Sequence, residues 1–364
     1  MKKLSPLVLS LLCSSAVAGS YVDQGADTMT TDNKNADHHF YVDIGVNGYY
    51  FDQPGMTLPF STGYSYPDNG YPRGTNPDQS NDGTAWATQP TLTLGYEFLT
   101  TNVNMQKIFG EQNAIELRAA YFKDSSNTTD HYPEDYYVNP WFITGSSETY
   151  NHTGESYVLE QADWNFDNTY YALGLYYTGN KVLSDQLVNA PYVGISFSYL
   201  QQDTDYTAYM TTGGDAYVTE GTDTLNSYYV GIDLGDKLIY LFQRNYALYG
   251  KAGLGLYLLH SSLDATQIPV TNEPQPDFSL NATYSATEDD DIATFKLSAE
   301  TGVTYYFSGN KNPMSTSVTF LVGVEYWNDV AYADNPTSPN EAVSIAYNHS
   351  VNPYVGVQLH IPIA

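Results

Sequence analysis

The chain has 364 residues, with 41 Asp and Glu against 13 Lys and Arg, a formal net charge of −28, one cysteine and 36 tyrosines. So negative a balance disfavours a nucleic-acid binder, which needs cations for the phosphates. Cys13 alone supports neither a disulfide framework nor a cysteine-ligated metal, and nothing after residue 18 approaches the ~18 consecutive apolar residues of a spanning helix.

Lys2 and Lys3, the apolar run Leu4 to Cys13 and the small residues Ala16-Val17-Ala18 predict a secretory signal over residues 1–18. Residues 19–38 are polar and read as a flexible periplasmic lead-in. From residue 39 to 364 the period is two. In the first predicted strand Phe40, Val42, Ile44 and Val46 share one face and Tyr41, Asp43, Gly45 and Asn47 the other. A long loop from Asp52 to Thr88 leads to Leu92, Leu94, Tyr96 and Phe98, which alternate with Thr93, Gly95 and Glu97.

The third strand alternates Ile115, Leu117 and Ala119 with Glu116, Arg118 and Ala120, and the fourth follows a loop over 123–166 with Leu173, Leu175 and Tyr177 against Ala172, Gly174 and Tyr176. Val193, Ile195 and Phe197 mark the fifth; Val230, Ile232 and Leu234, against Gly231 and Asp233, mark the sixth. In the seventh, Leu254, Leu256 and Leu258 oppose Lys251, Gly253 and Gly255. Phe295 to Tyr326 then reads as a hairpin, its apolar face opposite Lys296, Glu300, Gly302, Gly323 and Glu325. Val355, Val357, Leu359 and Ile361 close the series.

One apolar face with aromatic ends and one face of glycine and charge predict a transmembrane antiparallel β-barrel of ten strands, in the bacterial outer membrane. The alternative is twelve, because 136–144 and 156–164 are themselves strand-like. Short links alternate with long ones opening at Asp52, Lys123, Gln201, Ser261 and Asn328, which places the short turns in the periplasm and the long loops outside. The long loops hold 27 acidic residues against Arg73 and Lys123, while the short turns are slightly basic. This acidic crown can be plain solvation, can bridge through divalent cations to lipopolysaccharide, or can enrich cations at a pore mouth.

The inward face predicts nine lumen-lining charges: Asp43, Glu97, Glu116, Arg118, Asp233, Lys251, Lys296, Glu300 and Glu325. Either they form a hydrogen-bonded network or water reaches them. Inward glycines leave room for a passage or for tyrosines to pack into. His260 and Asp264 form no specific catalytic pattern in so acidic a loop; no enzyme activity, cofactor or dedicated metal site is expected.

Tyr41-Val42-Asp43-Ile44-Gly45, Gly231-Ile232-Asp233-Leu234, Leu248-Tyr249-Gly250-Lys251-Ala252-Gly253 and Leu297 to Tyr305 followed by Gly323-Val324-Glu325-Tyr326-Trp327 resemble the Legionella-type major outer membrane porins. The resemblance implies a pore-forming barrel exposed at the cell surface. The chain departs from that pattern in lacking cysteine after residue 13 and in ending His360-Ile361-Pro362-Ile363-Ala364 without a terminal aromatic. The two functions expected are a porin-like passage for small hydrophilic solutes or ions with a cation-favouring mouth, and a closed barrel acting as an adhesin or surface platform through its loops. The oligomeric state is left open.

Overall fold

The computed structural model describes residues 38–62, 80–81, 85–132, 136–140, 143–144, 157–243, 245–271, 283–307, 316–336 and 341–363. The expected signal, the lead-in up to residue 37, Arg73 and the turn at 308–315 lie outside the described residues.

Ten long strands form a ring: β1 (His39–Phe51), β2 (Ala85–Leu99), β3 (Gln112–His131), β4 (Tyr157–Ser184), β5 (Leu187–Thr212), β6 (Asp215–Gln243), β7 (Tyr246–Thr271), β8 (Tyr284–Tyr306), β9 (Ser317–Asp334) and β10 (Ser344–Ile363). Each pairs antiparallel with the next, and β1 pairs with β10, so no strand edge of the ring stays open. In a bilayer that closure is obligatory, because no water is available to satisfy an unpaired edge. The count is ten rather than twelve. Tyr137–Pro140 is a short strand paired with Phe60–Thr62 outside the ring, and the strand-like segment around residue 160 is the first part of β4. A short helix, α1 (Val103–Phe109), fills the periplasmic link between β2 and β3, with Asn102 Oδ1 accepting the amides of Asn104 and Met105 at its start.

The outer surface is apolar where it meets lipid. Ile44, Leu173, Ile195, Val230, Leu256, Val322 and Val355 are half exposed, a waste of apolar surface in water and the expected state in a bilayer. Aromatic contacts bound this band on both sides. Tyr50–Trp86, Tyr121–Tyr171, Tyr199–Tyr228 and Phe295–Tyr326 lie toward the extracellular side, and Phe40–Tyr96, Phe109–Tyr177 and Tyr246–Tyr305 toward the periplasm. On β8, Phe295 and Tyr305 are ten residues apart. At a rise of ~3.3 Å per residue and a tilt of ~40° they are separated by roughly 25 Å along the membrane normal, the height of an outer-membrane apolar band.

Above the extracellular belt the strands continue as a tall extension. β4 to β7 run 28, 26, 29 and 26 residues, far more than one crossing needs. Most of the expected loops beyond Lys123, Gln201 and Ser261 are therefore strand, and β5 and β6 meet in a tight turn at Gly213 and Gly214, both at positive φ. The extension has its own core of Trp164, Phe166, Tyr206, Leu159, Met210 and neighbours, capped by Leu58 and Phe60 of the segment after β1.

Tyrosine and glycine are abundant for a shared reason. Tyr41 faces Gly95 across the β1–β2 ladder, Tyr176 faces Gly194, Tyr192 faces Gly235, Tyr257 faces Gly231, Tyr249 faces Gly302 and Tyr354 faces Gly323. In each pair the ring lies flat over the glycine, where an added Cβ would overlap it. The inner wall is thus lined with rings laid against the sheet, and their hydroxyls reach the charges of the lumen.

Candidate functional site

All nine charges expected in the lumen line one internal cavity of about 450 Å³ in the membrane-spanning part of the barrel. Period-two alternation delivers them there. A tenth charge, Lys237, falls where a slightly basic periplasmic turn is expected; the structure instead puts it on β6 inside the same cavity, where the alternation of Gly231, Asp233 and Gly235 continues inward.

The lumen charges are bound into a network held by tyrosine hydroxyls. Glu116 accepts from Tyr41 at 2.5 Å, from Arg118 Nε at 2.7 Å and from Thr178 at 3.2 Å, while the Arg118 guanidinium lies 4.3 Å over the Tyr176 ring. Glu300 accepts from Tyr249 and Tyr354, both at 2.8 Å, one on each carboxylate oxygen. Lys237 and Lys251 are direct partners on β6 and β7, and Lys251 is in turn opposite Glu300. Asp233 accepts from Tyr176 at 2.7 Å and, on its other oxygen, from Tyr257. Glu325 accepts from Tyr49 at 3.0 Å and from Trp327 Nε1 at 3.1 Å. Toward the periplasmic end Asp43 meets His360 Nδ1 at 2.7 Å and Glu97 meets His39 Nε2 at 3.2 Å. Of the two outcomes open to buried charge, a hydrogen-bonded network is the one realised.

The extracellular end of the cavity is sealed. Tyr49 and Phe51 from β1, Phe122 from β3, Tyr170 from β4, Leu200 from β5, Tyr229 from β6, Leu259 from β7 and Trp327 and Val330 from β9 form a single buried cluster, and none of these side chains is more than 8% exposed. Trp327 is its hub, with ring centroids 5.9 Å from Phe51, 5.5 Å from Tyr170 and 5.7 Å from Tyr229. Those partners belong to strands that are not its neighbours in the sheet, so the contacts cross the barrel. A bulge between Trp327 and Val330 adds Val330 to the layer, because it lets two residues three apart both face inward. Lys296 reaches the underside of the layer. Its ammonium lies 3.6 Å from the Trp327 ring centre and 4.0 Å from that of Tyr229, and donates to Ser198 at 3.2 Å.

Between the seal and the core of the extension lies a buried polar stratum that includes Asp124, Asn168, Gln202 and Asp223. Burial pushes the Asp223 carboxyl up to about 7, with the Asn335 amide offsetting part of that and Asp205 adding to it. Burial likewise raises Asp124, to about 6. His260, weighed with Asp264 in the sequence, instead meets Asp291 at 2.9 Å on the outer surface.

No protein-family model matches the chain, and no curated protein does. Among solved structures it is similar to the outer membrane protease OmpT from Escherichia coli, at 10% identity over 89% of this chain and 97% of that one, TM-score 0.38. A Pseudomonas aeruginosa FadL homologue matches at 9% identity over 90% of each chain, TM-score 0.26. The transport unit of the autotransporter AIDA-I from Escherichia coli matches at 8% identity over 91% and 92%, TM-score 0.28. All three are outer-membrane barrels, the class that the closed ring, the lipid-facing band and the two aromatic belts define for this chain. One expectation is corrected here: the sequence was read as excluding an enzyme, and since a protease is among the similar barrels that exclusion does not stand.

Proposed function

We propose that this protein is a sealed outer-membrane barrel that acts at the cell surface, presenting its tall acidic extension as an interaction platform. The observation that carries the reading is the Trp327 layer, a buried aromatic seal built from strands around the whole ring. Ions following the charged cavity from the periplasmic side meet a buried layer of packed indole and phenol rings. A porin-like passage, which the resemblance to Legionella-type porins implies, would require that layer to part; the charged cavity beneath it is the feature that favours this second reading.

The extension suits a platform. It is stiffened by its own core, and its outer face carries Asp163, Asp167, Asp203, Asp205 and Glu220 on adjacent strands, a surface for a cationic partner or for lipopolysaccharide phosphates bridged by divalent cations. Replacing residues 203–222 with a two-residue turn tests this. Heat-modifiable gel mobility should be retained, since the spanning strands are untouched, while adhesion of expressing cells to host or mineral surfaces should fall to the level of cells lacking the protein. Unchanged adhesion would remove the platform reading.

A further inference from the structure

Helix α1 lies against the outside of the barrel wall. Leu173, Leu175, Tyr177, Gly179 and Lys181 alternate on the lipid-facing side of β4; the two leucines are about half exposed, whereas Gly179 is buried. The end of α1 covers it. A Cβ added at Gly179 would overlap the Phe109 backbone, and the Phe109 ring meets Tyr177 edge-on at 4.9 Å. Gly110, at φ 86°, then ends the helix and brings the chain down onto Asn180 and Lys181. Seven residues are too few to hold a helix in water, so packing on the wall is what keeps α1 formed.

This position is the periplasmic edge of the bilayer. Lys181 lies ten residues along β4 from Tyr171 of the extracellular belt, the separation that carries β8 from Phe295 to Tyr305. Its ammonium therefore stands at the height of the inner-leaflet headgroups, roughly 25 Å from that belt. Lys181 Nζ donates to the Lys107 carbonyl at 2.7 Å, which holds two lysines on one small patch. Among the described residues neither ammonium is in an ion pair: Glu111 and Asp185 reach neither, and Asp236 is held by the Asn189 amide. Met105, Gln106 and Phe109 turn toward the wall and are partly covered, while Val103, Asn104, Lys107 and Ile108 form the exposed face. On that face Lys107 stands between Val103 and Ile108, which are 63% and 60% exposed. Apolar side chains bared beside two unpaired cations at a membrane boundary match an acyl chain and the phosphate it hangs from.

We propose that Lys107 and Lys181 bind the headgroup of an anionic phospholipid in the periplasmic leaflet, with Val103 and Ile108 against its acyl chains. The side of the membrane selects the ligand. Lipopolysaccharide occupies the opposite leaflet, and a zwitterionic headgroup would bring its own ammonium up to two others. The bound lipid would fasten α1 to β4 and set the depth of the barrel in the bilayer. The site stands whether or not the lumen conducts, so it does not depend on the sealed-barrel reading.

Native mass spectrometry of the full chain in detergent micelles, titrated with dimyristoylphosphatidylglycerol or dimyristoylphosphatidylethanolamine, tests it. The expected result is one phosphatidylglycerol per barrel, retained at activation energies that strip phosphatidylethanolamine. Lys107→Gln combined with Lys181→Gln should weaken phosphatidylglycerol binding at least about tenfold, whereas Lys123→Gln, at the extracellular end of the wall, should leave it unchanged. Lys107→Gln alone keeps the bond from Lys181 to the helix; it should weaken binding about fivefold, and it serves if the double variant lacks heat-modifiable mobility. Equal retention of the two lipids by the wild type, or undiminished phosphatidylglycerol binding by a folded variant, overturns the site. A wild-type dimer free of lipid would give this face to a second copy of the chain and overturn it as well.

Discussion

Substituting Trp327 by alanine probes the seal at its centre. The indole is 1% exposed, contacts three aromatic rings from across the barrel, stacks on the Lys296 ammonium and supplies one of the two side-chain donors to Glu325. Aromatic pairs contribute ~0.5–1.5 kcal/mol each beyond their buried area, and truncating a buried Trp to Ala costs ~3–5 kcal/mol in all. Part of that loss falls on Glu325, left with Tyr49 alone, and part on Lys296, whose nearest ring is gone. Urea unfolding in detergent micelles, followed by gel mobility, should place the variant ~3–5 kcal/mol below wild type. Trp86, 63% exposed in the extracellular belt, is the control; its alanine variant opens no internal cavity and should cost distinctly less. Equal losses for the two would refute the idea that Trp327 is the centre of a packed interior layer.

Three further outcomes follow from the same geometry. Gly323→Val puts a side chain where the Tyr354 ring lies and should displace the hydroxyl that holds Glu300, giving a barrel that loses heat-modifiable mobility at a lower temperature than Gly323→Ala and wild type. Val322→Arg, at the middle of the lipid-facing band and 53% exposed, should destabilise the barrel in lipid vesicles by ~2–4 kcal/mol, the cost of a cation at the bilayer midplane. Asp223 gives a pH dependence. Its folded value near 7 stands above the ordinary 3.8, so the fold favours the neutral acid, and the associated stability is complete below pH ~4 and is lost as the pH rises through 7. Wild type should therefore unfold at a higher urea concentration at pH 5 than at pH 8, by an amount on the order of 3 kcal/mol at most, and Asp223→Asn should flatten that difference; a flat wild-type profile would contradict it.

The spanning strands were legible in the sequence because lipid outside and polar groups inside give strong alternation, as at Val230, Ile232 and Leu234 against Gly231 and Asp233. The same rule placed all nine expected charges on the cavity wall. Above the membrane the contrast fades. Asp203, Asp205 and Thr207 face water while Gln202, Thr204 and Tyr206 face the interior, so polar residues stand on both sides and the segment reads as loop. The Tyr–Gly pairs were present only as composition, since which glycine faces which ring is a matter of register between strands. The seal was hidden for a related reason. The alternation puts Trp327 on the inner face with Gly323 and Glu325, but nothing local says that its partners come from β1, β4 and β6 on the far side of the barrel.

Ion conductance of the purified wild-type protein in a planar bilayer puts the sealed barrel to its most direct test. With the Trp327 layer intact the account predicts no discrete current steps in potassium chloride across a range of voltages, under conditions where a known porin inserted in the same membrane conducts. Steady unitary steps from the wild-type protein, abolished by blocking residues of the lumen such as Gly253→Trp, would contradict it and establish a passage in its place.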